Sequence, residues 1–250
     1  MSEHEQETTR RRFLKSSTAS AAAVTLGLNV AGAPLVGTAR GANEKIRVGF
    51  IGIGNRGSQL LNGFLKQDDM EVAALCDAYE PYLMRDHSKV DKKLLDALGS
   101  RIPKMKEGLG GNVARYKDFR RLLDRKDIDA VVIATPDHWH AVQTIMACQA
   151  GKDVYVEKPL SVTVVEGRKM VEAAERYNRV VQVGLHRRSS KEYMRAVGDI
   201  QAGKIGKVTV GRAYRISNMH PSGIGRCPDT TPPEGLDWDM WLGPRAKRAY

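Results

Sequence analysis

Cysteine is scarce in this chain. Its 250 residues hold three, Cys76, Cys148 and Cys227, with no C-x-x-C pair and no even-numbered framework, so structural disulfides are not expected. The first two fall in a predicted strand and a predicted helix, where a small buried hydrophobe is the usual role. Long apolar runs are missing as well. Residues 16–36 are only weakly apolar and are broken by Thr, Asn, Pro and several Gly, which makes a poor membrane span. Acidic residues are in deficit: 29 Asp and Glu face 40 Lys and Arg, a formal charge of +11. Residues 1–42 carry five bases and three acids, so the body itself stays basic. The bases are dispersed among acids without an aromatic–basic RNA motif, which argues against nucleic acid as a partner. An anionic cofactor, an acidic substrate or plain solubility accounts for the charge instead. With 42% hydrophobic residues, the chain can bury a sizeable core in one or two domains.

What is present begins with Arg10-Arg11-Arg12-Phe13-Leu14-Lys15 ahead of the weak apolar run. Residues 1–42 resemble a twin-arginine signal peptide, with cleavage open to Ala33, Ala39 or Ala42; the plainer reading is a disordered basic tail. Because that route carries folded proteins, it implies the twin-arginine export machinery as a partner. It also implies a periplasmic or otherwise exported mature chain, with any cytoplasmic nucleotide held tightly.

The organising stretch is Lys45-Ile46-Arg47-Val48-Gly49-Phe50-Ile51-Gly52-Ile53-Gly54-Asn55-Arg56-Gly57. A β-branched run empties into glycines at the G-x-G-x-x-G spacing, and Ser58 to Lys66 reads as a helix with Leu60, Leu61, Phe64 and Leu65 on its apolar side. Strand, glycine turn and helix are the context a dinucleotide fingerprint requires. Gly52 permits the tight turn, Gly54 lets backbone approach a diphosphate, and Gly57 lets helix and strand pack closely. Gly52, Ile53, Gly54, Asn55, Arg56 and Gly57 are therefore candidate cofactor residues, with the helix N-terminus facing the phosphates. An ordinary βα turn is the bland alternative. The next apolar run, Glu71 to Cys76, ends at Asp77, twenty positions after Gly57. A carboxylate there accepts from the ribose hydroxyls and repels a 2′-phosphate, which favours NAD over NADP; Arg56 and Arg85 are nearby cations that soften the preference.

Downstream, Tyr79 to Leu98 is predicted as one helix, Gly99 to Gly111 as a loop, and Val113 to Tyr116 as a strand. Asp118 is a good N-cap for Phe119 to Leu123. Ala130 to Ala134 reads as a buried strand, His138 to Ala150 as a helix, Asp153 to Glu157 as a fifth strand. Val162 to Asn178 reads as a helix and Val180 to Gly184 as a sixth strand. Such alternation predicts an α/β fold with a doubly wound parallel sheet, whose ligands lie beyond the carboxyl ends of the strands. Glu157-Lys158-Pro159 ends one of those strands. A lysine there could relay the proton of a substrate hydroxyl, with Glu157 holding its ammonium; a surface ion pair is the alternative.

The blocks Ala134-Thr135-Pro136-Asp137-His138-Trp139-His140 and Gly151-Lys152-Asp153-Val154-Tyr155-Val156-Glu157-Lys158-Pro159 resemble the Gfo/Idh/MocA oxidoreductases, from about Lys45 onward. The resemblance implies a Rossmann domain over 45–185 binding NAD(P), with Glu157 and Lys158 contacting cofactor and substrate, Lys158 catalytic and Glu157 assisting. It puts Thr135 and Pro136 over the nicotinamide side and His140 at the family's histidine position, all three counted as cofactor-binding. His138 and His140 read as residues opening a helix rather than as metal ligands, and the family needs no metal.

Residues 186–250 resemble the start of that family's α+β substrate and oligomerisation domain, with His186 and Arg187 (beside Arg188) where members position substrate or cofactor. Tyr193 to Ala202 is predicted as a helix, Gly203 to Lys207 as a turn, and Val208 to Ile216 as the first strand of a mostly antiparallel sheet. In the segment Asp237 to Pro244, Trp238 and Trp241 either line a sugar pocket by stacking or form a packed corner. The family's second catalytic block, an acid followed four residues later by histidine, does not occur after Gly184. The expectation is therefore a chain that is C-terminally incomplete, from a parent that forms a homo-oligomer. Three functions are compatible with this reading. The first is an NAD-dependent oxidoreductase acting on a sugar, polyol or derivative. The second is a glycosidase that uses NAD without net redox change, and the third a nucleotide-loaded carbohydrate-binding protein without turnover.

Overall fold

A computed structural model describes residues 45–104, 109, 112–214 and 228–250; the expected signal segment and Cys227 lie outside them. Six strands form a single parallel sheet in the order β3-β2-β1-β4-β5-β6. They are β1 (Ile46–Ile51), β2 (Met70–Cys76), β3 (Ala114–Tyr116), β4 (Ala130–Ile133), β5 (Asp153–Glu157) and β6 (Val181–Gly184). This is the doubly wound order that reverses between β1 and β4, and all six strands point the same way, so their carboxyl ends share one edge.

The central strands β2, β1, β4 and β5 are largely buried on both faces, as a parallel sheet requires, and alternate side chains serve two cores. Val48 and Phe50 of β1 and Val132 of β4 pack with Leu61 and Leu83 on one face. Ile51, Val131 and Ile133 pack with Phe119, Leu122 and Ala141 on the other. Each fully buried side chain of this kind is worth about 1.5–3 kcal/mol.

The helices covering these faces are α1 (Asn55–Phe64), α2 (Glu80–Met84), α3 (Lys92–Leu98), α4 (Phe119–Leu123), α5 (Asp137–Gln149) and α6 (Val164–Arg176). Asp118 caps α4 as expected, accepting from the Arg120 N–H. At α6 a capping box closes reciprocally between Thr163 and Glu166, so the helix starts two residues later than its apolar pattern suggests.

Two expectations fail. The stretch predicted as one helix over 79–98 is broken into α2, a 3-10 turn at His87–Lys89, and α3. Arg85 takes a left-handed φ of +57° and ends α2, and Asp91 starts α3 afresh by accepting from the Lys93 and Leu94 N–H groups. Second, 208–214 forms no strand. A strand exists only through a neighbour that completes its ladder, and no described segment pairs with these residues. After β6 come a 3-10 turn, His186–Ser189, an exposed helix α7 (Lys191–Gln201), and finally α8 (Trp238–Leu242). No helix among the described residues is long and apolar enough to cross a membrane.

Candidate functional site

The glycine turn is built by close approach. Gly52 has φ +82°, and a Cβ on it would stand 2.7 Å from the Thr135 nitrogen. Its N–H donates to the Cys76 carbonyl at 2.8 Å, joining the ends of β1 and β2. A Cβ on Gly57 would run into the Gly52 carbonyl oxygen, so any side chain there would push α1 off the sheet. Gly54 differs, because a Cβ on it would meet nothing nearer than the Tyr82 ring, at 3.6 Å. Its open side faces a cleft, and it caps α1 without a side-chain bond. The first-turn amides of Asn55, Arg56 and Gly57 therefore point where an anion is stabilised. This cradle fits the diphosphate of a dinucleotide. Ile53 contributes backbone only, its side chain being fully buried, and the Asn55 side chain accepts from Gln59 Nε2 at 3.0 Å.

Asp77 follows β2 directly. Its Oδ2 accepts from the Ile53 N–H at 2.8 Å and its Oδ1 from the Tyr79 N–H at 2.9 Å, tying the glycine turn to the end of β2. Burial opposes its ionisation more strongly than these N–H groups favour it, and its pKa is pushed up to about 6. The phenol of Tyr82 is pushed up to about 12, by burial first and by the Asp77 charge second. Asp77, Gly54 and Thr135 line one cleft of about 490 Å³ at the carboxyl edge of the sheet, a volume in the range of small-molecule sites.

Glu157 and Lys158 end β5. Here the expected pairing is corrected: Glu157 holds Arg56, not the Lys158 ammonium. Arg56 Nε donates to Glu157 Oε1 at 2.6 Å, and the Lys158 backbone N–H donates to Oε2 at 3.1 Å. Glu157 is only 3% exposed while Lys158 is exposed, so the acid spends itself on the glycine turn and leaves the ammonium to solvent or substrate. Arg56 is further held by Gln59, whose Oε1 accepts from its Nη1 at 3.1 Å.

His140 is fully buried. Its Nδ1 lies 2.6 Å from the Pro159 carbonyl oxygen and its Nε2 2.8 Å from that of Thr135. With both ring nitrogens spent on backbone carbonyls, it ties the Thr135–Pro136 turn to the Glu157–Pro159 turn. The Thr135 hydroxyl donates to Gln143 Oε1 at 2.7 Å. Sequence reading missed Gln143, a buried residue lining the cleft; its only mark is a polar side chain three positions after His140, on the same helical face. His186 and Arg187 stand exposed just beyond β6 at the same edge of the sheet.

Trp238 is not free to stack on a sugar from both sides. Its ring lies on Trp241 (4.9 Å, 18° between planes), with Tyr250 against its edge at 5.0 Å. It lines the Asp77 cleft, whose walls do not include Lys158.

Residues 46–185 match the Gfo/Idh/MocA model, described as an oxidoreductase family with an NAD-binding Rossmann fold. The chain belongs to that family, and NAD is the cofactor of its fold. Among curated proteins it is 32% identical over 222 residues to a glycosyl hydrolase family 109 protein of Shewanella pealeana, a match covering 84% of this chain and 46% of that one. It is 30% identical over 227 residues, with the same coverage, to the alpha-N-acetylgalactosaminidase of Shewanella oneidensis. Among solved structures it is similar to scyllo-inositol dehydrogenase from Lactobacillus casei with bound NAD(H) and scyllo-inositol. That match has a TM-score of 0.52 at 26% identity and covers 66% of this chain and 44% of that one. The chain spans about half the length of the curated relatives it matches.

Proposed function

We propose that this protein is an exported NAD-dependent oxidoreductase that moves a hydride between the cofactor and a carbinol carbon of a sugar, polyol or derivative. One observation carries the reading: a glycine cradle flanked by Asp77 at one end and, through the Arg56–Glu157 pair, by Lys158 at the other. Bound NAD supplies the hydride acceptor. Asp77 accepts from the adenosine ribose hydroxyls and disfavours a 2′-phosphate. Lys158 Nζ takes the proton of the substrate hydroxyl on oxidation and returns it on reduction. Glu157, clamped from both sides, fixes where that lysine leaves the sheet. Relatives named for inositol and N-acetylgalactosamine chemistry support a polyhydroxylated substrate. Export rests on the arginine run at Arg10–Arg12 ahead of the weak apolar stretch.

The test is nucleotide content of the purified protein by absorbance and mass, followed by Lys158→Met against a panel of sugars and polyols. The expected result is NAD binding within about twofold of the wild type and turnover reduced by at least about a hundredfold. Undiminished turnover in Lys158→Met would remove that lysine from the chemistry.

The family 109 names of the Shewanella relatives favour a second reading, a glycosidase that oxidises and re-reduces its sugar around an elimination. Release of a leaving group without accumulation of NADH would distinguish it from the first.

A further inference from the structure

A segment near the end of the chain lies across the cleft that holds Asp77. At one side of the cleft the Asp237 N–H donates to the Ala78 carbonyl at 2.9 Å, and the Glu80 N–H donates to the Gly235 carbonyl at 3.0 Å. Leu236 thereby forms an antiparallel bridge with Tyr79, two residues beyond Asp77. At the other side Trp139 Nε1 donates to the Met240 carbonyl at 3.0 Å, and a His138 ring nitrogen lies 2.9 Å from the Trp241 carbonyl oxygen. Leu242 is buried to 4% exposure, and Gly243, with φ +52°, passes so close to the Trp139 ring that a Cβ there would overlap it. The segment is thus anchored after β2 and again at the start of α5, and Trp238, Leu236 and Met240 between the anchors face the cleft.

The end of the crevice that this strap covers follows from the sheet order. β2 and β5 are separated by β1 and β4, three inter-strand steps or about 14 Å. Asp77 ends β2 and Lys158 follows β5, so a cleft walled by Asp77 and not by Lys158 lies at the ribose-binding end. Lys117, Thr135 and Gln143 add polar groups to its lining, but most of the rest is aromatic or aliphatic, Phe119, Leu94 and Leu98 among it, which suits a purine ring better than a hydroxylated one.

We infer that Trp238, held in the strap Pro233–Leu242, walls the adenosine half of the NAD site and serves the cofactor, not the sugar. This rests on the NAD-dependent reading above. The strap joins the loops that follow β2 and β4, so while both anchors hold it walls one side of the seated adenosine and slows its release. An exported enzyme that cannot replenish its nucleotide gains slow release from that arrangement.

Titration calorimetry with AMP and with NAD on wild type, Trp238→Ala and Trp238→Phe tests the proposal. AMP reports the adenosine half alone. Trp238→Ala is expected to weaken both ligands by the same factor, at least about tenfold for loss of one aromatic wall, and Trp238→Phe to stay within about threefold of the wild type. Unchanged AMP affinity in Trp238→Ala, or a loss for NAD without one for AMP, overturns the proposal. If Trp238→Ala loses its far-ultraviolet circular dichroism, hydrogen exchange on the wild type decides instead. Slowed exchange of the Gly235 and Asp237–Leu242 amides on adding AMP supports the strap, and unchanged exchange overturns it. A wild type that takes up neither ligand defeats the functional reading as well, whereas wild type and Trp238→Ala binding equally defeat this inference alone.

Discussion

Two carboxylates at opposite ends of the crevice live under opposite rules. Glu157 is buried and depends on one guanidinium, that of Arg56, whose own side chain is about one-third exposed. Removing a partner strands the remaining charge, which costs 3–5 kcal/mol when both members are deep. With Arg56 about one-third in solvent, Arg56→Ala is expected to destabilise by about 2 kcal/mol, and Glu157→Gln, which keeps hydrogen-bonding capacity, by less. Urea unfolding at neutral pH measures both. Asp77 accepts from the Ile53 and Tyr79 N–H groups, and burial pushes its pKa up to about 6 from an ordinary 3.8. The folded protein therefore holds this proton where the unfolded chain has lost it. Stability is favoured below about pH 4 and falls as pH rises towards about 6, by up to about 3 kcal/mol. Asp77→Asn is expected to flatten that slope in unfolding curves taken between pH 4 and 7 without nucleotide, and to lose NAD affinity. In the wild type, NAD binding should strengthen over the same interval, because the ribose hydroxyls need the ionised carboxylate. A residue that weakens the empty protein at neutral pH is thus the one proposed to bind the cofactor ribose.

Among elements, α6 shows how a local motif sets a boundary. Thr163→Ala removes the Thr163–Glu166 box and is expected to cost about 1 kcal/mol, read as a lower urea midpoint with an unchanged slope. All six strands were legible in the sequence because they are short runs closed by turn residues, mostly apolar and, in β1, β4, β5 and β6, rich in Val or Ile, and Asp118 was legible as a cap for the same local reason. The split of 79–98 was not. Leu83, Val90, Leu94, Leu95 and Leu98 keep spacings compatible with one helix, and periodicity reports faces without sensing the left-handed turn at Arg85. The candidate strand failed over its described part, 208–214, for the converse reason, since its alternation needs a partner that no described residue supplies. In the site, the glycines and Asp77 were readable from spacing. The Arg56–Glu157 pair was not, because its members stand 101 positions apart, and neither was the placement of Trp238, which depends on where the strap crosses.

At the scale of the whole molecule, one parallel sheet delivers its functional residues to one edge, and contacts across that edge make the separate loops a single piece. His140 joins the turn after β4 to the turn after β5, Asp77 joins the end of β2 to the glycine turn, and Arg56 joins that turn to β5. The last of these links has an evolutionary corollary. A lineage that replaces only Arg56, or only Glu157, must tolerate a desolvated charge until the other position changes, whereas two apolar residues can coexist there at little thermodynamic penalty. Descent should therefore treat the two positions as one character: among homologous chains they should be kept together or exchanged together, and intermediates carrying half of the pair should be rare.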